Sequence, residues 1–117
     1  MSEQKLCDLI LQSARETEGV GAVEETRKWG QPSFAPAKAN VGSSVRIQGN
    51  DDGTQSLMFI CTTGLVDTFR EQYADTLDFV GNREIKLAGD DLGEHRDALK
   101  HCIALALTHK LRKKSKA

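Results

Sequence analysis

Val45-Arg46-Ile47-Gln48-Gly49-Asn50-Asp51-Asp52-Gly53-Thr54-Gln55-Ser56-Leu57-Met58-Phe59-Ile60-Cys61-Thr62 holds two extended runs around a bend. Gly, Asn and Asp tolerate the positive φ of tight turns, so Gly49 to Gly53 reads as the loop of a β-hairpin. The flanking strands are expected over Val41 to Gln48 and Thr54 to Thr62. In the first, Val45 and Ile47 alternate with Arg46 and Gln48, giving one dry and one wet face. In the second, Leu57 to Cys61 is apolar throughout, the pattern of a central strand covered on both faces.

On the C-terminal side, Thr63 is placed to cap a helix from Leu65 to about Tyr73. Asp67 lies in its first turn, and Val66, Phe69 and Tyr73 form its apolar stripe. Phe79 to Ala88 returns to strand, with Gly81-Asn82 marking a turn or bulge, and Gly89 to Gly93 is a loop. From about Glu94 to Lys113, the spacing of Leu99, Cys102, Ile103, Ala106, Leu107 and Leu111 predicts a long helix.

On the N-terminal side, residues 3–16 read as an amphipathic helix with Leu6, Leu9, Ile10 and Ser13 or Ala14 on one face. Gly19 and Gly21 close it. Val23 to Lys28 reads as a short helix or turn. Pro32 and Pro36 exclude helix from residues 29–38, which fit an edge strand or extended loop. The fold class is α+β: an antiparallel β-sheet containing a central hairpin, packed by N-terminal, middle and C-terminal helices. Residues 1–109 are expected to form one domain, followed by a frayed basic tail, 110–117.

A chain of 117 residues with 38% hydrophobic and 28% charged residues has the size and composition of one globular domain. Its net charge of −1 conceals an asymmetry. Residues 109–117 hold five basic residues and no acid, so the rest carries 11 basic against 17 acidic residues. An acidic body argues against specific nucleic-acid binding, for which only the tail and Arg27-Lys28-Trp29 speak. No apolar run approaches the roughly 20 residues of a membrane span. Met1 to Gln12 lacks the basic-then-apolar order of a signal peptide. Cys7, Cys61 and Cys102 are odd in number, widely spaced and set in apolar stretches, which suits free thiols in a reducing cytoplasm. The expected assembly is a monomer or weak dimer.

The candidate sites follow from residue type and spacing. His95, His101 and His109 share the last helix, but His95 and Cys102, like Cys102 and His109, are separated by about 10.5 Å along its axis. They read as surface histidines, not as ligands to one metal ion. Glu24-Glu25, Asp51-Asp52 and Asp90-Asp91 are the acidic pairs a hard cation would use, although adjacent acids also serve ordinary turns. Cys61 is the nucleophile candidate, since a following helix N-terminus would lower its pKa. Its apolar neighbours favour a buried structural role. There is no P-loop, nucleophile elbow or dinucleotide fingerprint. Arg70 and Arg83 have the donors of a bidentate anion site, or they pair with Asp67, Asp78 or Glu84 and fix a helix on the sheet. Trp29 to Phe34 reads either as a ligand-facing wall or as a core anchor.

Trp29-Gly30-Gln31-Pro32-Ser33-Phe34 resembles the signature of the YdhG-like family, small bacterial domains of unknown function. Three further segments resemble one branch of it: Leu65-Val66-Asp67-Thr68-Phe69-Arg70, Phe79-Val80-Gly81-Asn82-Arg83-Glu84-Ile85, and His101-Cys102-Ile103-Ala104-Leu105-Ala106-Leu107-Thr108. Together they cover most of residues 23–109. The resemblance implies a compact α+β fold with an antiparallel sheet. Some relatives are regarded as frataxin-like iron chaperones. Where many members have an aromatic-rich strand, this chain has Gly42-Ser43-Ser44-Val45-Arg46.

The functional expectation is a non-enzymatic module that binds a small molecule or a protein partner. Its candidate contacts are Trp29, Gln31, Phe34, Arg70, Asn82 and Arg83, with no catalytic residue, metal ligand or cofactor assigned. A frataxin-like iron chaperone is the alternative, in which iron would be the cargo, and an enzyme using Cys61 is the second.

Overall fold

The computed structural model describes residues 3–28, 31–38, 41–60, 64–73, 75, 77–81, 83–87 and 96–111. Helix α1 spans Glu3–Glu16, as its apolar spacing predicts. Leu6, Leu9, Ile10 and Ala14 are its buried line. Ser13 shares that line because its hydroxyl donates to the Leu9 carbonyl at 2.8 Å.

Val23–Lys28 is strand β1, not the helix or turn expected from sequence. Five of its six residues are polar, and Glu24 to Arg27 are exposed. An edge strand needs no buried face, so no apolar alternation marks it. Its geometry comes from β2, Gln31–Pro36, with which it pairs antiparallel from Val23↔Pro36 to Lys28↔Gln31.

The proline strand is extended as expected, but β2 does not lie at the edge. The six-stranded sheet runs β1-β2-β3-β4-β6-β5. The prolines are tolerated inside the sheet because of ladder parity. Ala37 N–H donates to the Ala22 carbonyl at 2.9 Å, continuing the hydrogen-bonded pairs through the odd residues of β2. Pro32, Phe34 and Pro36 therefore turn their backbone nitrogens toward β3, where pairing is confined to Ser33↔Arg46 and Phe34↔Val45. The missing donors shorten the β2–β3 ladder rather than break β1–β2.

Strands β3, Val45–Gly49, and β4, Gln55–Phe59, form the central hairpin, paired from Val45↔Phe59 to Gly49↔Gln55. Both are shorter than expected, and Val41 to Ser44 goes elsewhere. The loop closes through Asn50 N–H to the Thr54 carbonyl (2.9 Å), with Gly53 at φ 86°. The Asn50 amide donates to Thr54 Oγ1 (3.0 Å) and Ser56 Oγ (2.9 Å). Asp52 accepts from the Thr54 backbone N–H (3.0 Å) and hydroxyl (2.6 Å), and its other oxygen meets Lys86 Nζ at 2.9 Å.

These Thr54 hydrogen bonds, and then Lys86, hold the Asp52 carboxyl well below the usual carboxylate range. A depressed folded-state pKa contributes stability above the ordinary Asp value of 3.8, lost as pH falls through the folded one. Glu16, lowered by its bond to Lys100, acts in the same direction. Thermal melts from pH 7 down to pH 2 should show a falling midpoint below about pH 4. Asp52→Asn should make that fall shallower. An unchanged acid slope in the variant would remove Asp52 from the acid response.

Helix α2 spans Leu65–Tyr73, with Leu65, Val66 and Phe69 buried. Thr63 lies outside the described residues. The single strand expected over Phe79 to Ala88 is instead two, β5 (Asp78–Val80) and β6 (Glu84–Leu87), paired antiparallel beyond Gly81 at φ 62°. Strand β6 joins the central hairpin through β4. Helix α3 spans Arg96–Leu107 and buries Leu99, Cys102, Ile103, Ala106 and Leu107. Gly89 to Gly93 and Arg112 to Ala117 lie outside the described residues.

Helices α1, α2 and α3 share one core with one sheet face, the face of Phe34, Val45, Ile47, Leu57, Phe59, Ile85 and Leu87. Lys100 of α3 meets Glu16 of α1 at 2.5 Å, and Arg96 donates to Gln12. Tyr73 and His101 are hydrogen-bonded at 2.6 Å between α2 and α3. Val41 to Ser43 runs along the end of α3. Ser43 N–H donates to the Ala106 carbonyl (2.8 Å), and the Lys110 and Leu111 N–H groups donate to the Val41 carbonyl (3.1 Å each). Gly42 lies so close that a Cβ there would stand 2.0 Å from the Leu107 carbonyl oxygen. Among the described residues, no helix is long and apolar enough to cross a membrane.

Candidate functional site

Side chains alternate between the faces of a sheet, so the helix-packed face leaves a second set pointing away. The registers place Ser33, Arg46, Met58, Glu84 and Val80 in one transverse row on this second face. Gln48, Ser56, Lys86 and Asp78 form the next row. Among the described residues no helix covers this face. Yet Ser33 is 6% exposed, Met58 5% and Ser56 0%. The Ser56 hydroxyl donates to Glu84 Oε2 at 2.7 Å and accepts from Asn50. Strand β4 is thus central and dry on both sides from Ser56 to Phe59, as its apolar run predicts there, but Ile60 of the same run is 45% exposed and Cys61 lies outside the described residues.

A groove of about 270 Å³ opens here, lined by Ser33, Ser44, Arg46, Met58, Phe59, Ile60 and Arg83. Arg46 comes from the wet side of β3, and Met58 lies directly opposite it on β4. Arg83 arrives from the start of β6, where its carbonyl accepts the Phe59 N–H at 2.7 Å. Phe59 turns its ring to the other face, edge-on to Phe69 at 5.1 Å. Ile60 is 45% exposed, unusual for a large apolar side chain. The Arg46 Nε–H is buried and has no hydrogen-bond partner among the described residues. Buried polar groups are nearly always satisfied, so this unpartnered guanidinium donor is an exception. Two guanidinium groups and two hydroxyls beside an apolar floor can bind an anion and bury what is attached to it.

The candidate residues from sequence fall in different places. Arg83 lines the groove. Arg70 does not line it: its Nη2 donates to the Gly81 carbonyl at 2.5 Å, Nη1 is 3.5 Å from Asp67, and its guanidinium lies 5.6 Å from the Phe79 ring centroid. Arg70 therefore braces α2 on the β5–β6 turn. Phe34 is fully buried on the helix-packed face, away from the groove. Gln31 is half-buried at the end of β2, and Trp29 and Asn82 lie outside the described residues. Ser33 comes from the Trp29–Phe34 segment read as a possible ligand-facing wall, whereas Arg46 and Ser44 are not among the sequence candidates, although Arg46 sits on the wet positions of the hairpin, where a functional charge would be sought.

The other chemistry-bearing groups are also placed. Cys7 and Cys102 are buried free thiols, and burial pushes Cys102 up to about 12, where it stays protonated. Cys61 and His95 lie outside the described residues. Tyr73, beside His101, has its pKa raised by burial. Glu24 and Glu25 stand at successive, hence opposite-facing, positions of the edge strand. Asp51 is exposed at the turn and Asp52 is tied to Thr54 and Lys86, while Asp90 and Asp91 lie outside the described residues. Among the described residues no three His, Cys, Asp or Glu side chains converge.

Comparison of the chain with protein-family models, with curated proteins and with solved structures returned no match.

Proposed function

We propose that the protein is a small, non-enzymatic ligand-binding module of the YdhG-like type, which takes an anionic small molecule in the groove on the helix-free face of its sheet. The observation that supports this reading is the lining of one groove by two arginines, Arg46 and Arg83, with Ser33 and Ser44 beside them, Arg46 having its Nε–H buried and unpartnered. Leaving such a donor unsatisfied costs about 1–3 kcal/mol, which an anion would relieve. A guanidinium offering Nε–H and one Nη–H side by side matches two oxygens of a carboxylate or phosphate. The groove has the volume of a small organic molecule, not of a peptide segment or a nucleic-acid strand.

Arg46→Met separates a binding role from a bracing one. Methionine keeps much of the apolar stem and deletes the unsatisfied donor. The variant should melt within about 2 °C of the parent or slightly above it. Acetate or inorganic phosphate should shift the Arg46 Nε–H resonance of the parent, and the same anions should leave the groove amides of the variant unmoved. A marked loss of stability together with unchanged anion response would turn Arg46 into a bracing residue and end this reading.

A further inference from the structure

We infer that the occupant of the groove is a carboxylate carrying an apolar body, an inference that rests on the anion-binding reading above. The lining divides by chemistry. Arg46, Arg83, Ser33 and Ser44 supply charge and hydrogen bonds, whereas Met58 and Ile60 supply apolar surface. The two kinds are close. Arg46 and Met58 are paired across the β3–β4 ladder, one strand spacing of about 4.8 Å apart. Ile60 lies two residues beyond Met58 on the same face. A ligand whose oxygens meet Arg46 therefore carries its next few atoms over Met58 and Ile60. This contact would also cover Ile60, which is left 45% exposed without it.

The apolar floor favours a carboxylate over a phosphate. Glu84 stands in the same row as Arg46, paired to Met58 on the far side, with its carboxylate fixed by Ser56. That places a negative charge about two strand spacings, roughly 10 Å, from the strand of Arg46. A phosphate dianion would gain from both arginines as well as lose to Glu84, but its polar oxygens gain nothing from an apolar floor. A planar carboxylate satisfies the Arg46 fork and leaves its substituent free to lie on Met58.

The test titrates the full chain with acetate, hexanoate, hexan-1-ol and inorganic phosphate, following the Arg46 side-chain Nε–H and the backbone amides of Arg46, Met58 and Ile60 by NMR. Hexanoate should bind at least tenfold tighter than acetate, because each buried methylene contributes up to about a fourfold gain. It should also bind at least tenfold tighter than hexan-1-ol. Arg46→Met should weaken hexanoate tenfold or more. Ile60→Ser, at a half-exposed position that should not disturb folding, should weaken hexanoate several-fold and leave acetate unchanged. Hexanoate no tighter than acetate, phosphate tighter than hexanoate, or hexan-1-ol equal to hexanoate would each overturn the apolar-carboxylate assignment while leaving an anion site. No response of Arg46 Nε–H to any anion would overturn the groove reading itself.

Discussion

Phe34→Ala is expected to lower the free energy of unfolding by about 3–5 kcal/mol, measured by urea denaturation. Phe34 is completely buried, and its register partner Val45 and the next strand's Phe59 continue the same line across the core face. Deleting the ring removes its transfer free energy and leaves a cavity among side chains fixed by the packed helices, which cannot collapse to fill it. The loss falls on a weak place, since Pro32 and Pro36 deny β2 the backbone bonds that would otherwise hold it to β3. A loss under 1 kcal/mol would show that Phe34 does not anchor the core.

Gly42→Ala should be almost as damaging, by about 3 kcal/mol, equivalent to a fall in melting temperature of roughly 10 °C. The added methyl carbon would lie 2.0 Å from the Leu107 oxygen, 2.2 Å from the Leu107 carbonyl carbon and 2.8 Å from the Ala106 oxygen. These are backbone atoms, so no rotamer change relieves the clash, and either the Val41–Ser43 segment or the end of α3 must move. The Ser43 bond to Ala106 and the two bonds to Val41 would be strained together. Faster amide exchange at Ser43, Lys110 and Leu111 should accompany the lower stability. A variant melting with the parent would mean that the segment shifts freely.

Elements whose burial repeats at their own period were legible in the sequence. Helix α1 and helix α2 begin and end where the apolar spacing places them, and all five buried residues of α3 lie on its expected stripe. The central hairpin was legible through Gly49-Asn50-Asp51-Asp52-Gly53. Strand β1 was not, because Glu24, Glu25, Thr26 and Arg27 bury nothing and take their conformation from β2. The interior place of β2 was hidden because prolines suggest an edge unless ladder parity is known, and parity depends on a partner the sequence did not reveal. Of the groove, the sequence singled out Arg83 and, through the Trp29–Phe34 segment, Ser33. Arg46 looks like any wet-face residue until the registers set it opposite Met58, and its buried donor is a property of the assembled sheet.

The seam between β2 and β3 also shapes how the molecule breathes. With prolines on both sides of Phe34, ladder pairing between the β1–β2 hairpin and the rest of the sheet is confined, among the described residues, to Ser33↔Arg46 and Phe34↔Val45, and packing does the remainder. That hairpin is the natural unit of partial opening, so its amides should exchange through a lower-energy excursion than those of β4 and β6. The groove straddles the same seam, with Ser33 on one bank and Arg46 on the other. An occupant touching both banks would bind the closed state alone, and its free energy of binding would appear as slower exchange in β1 and β2.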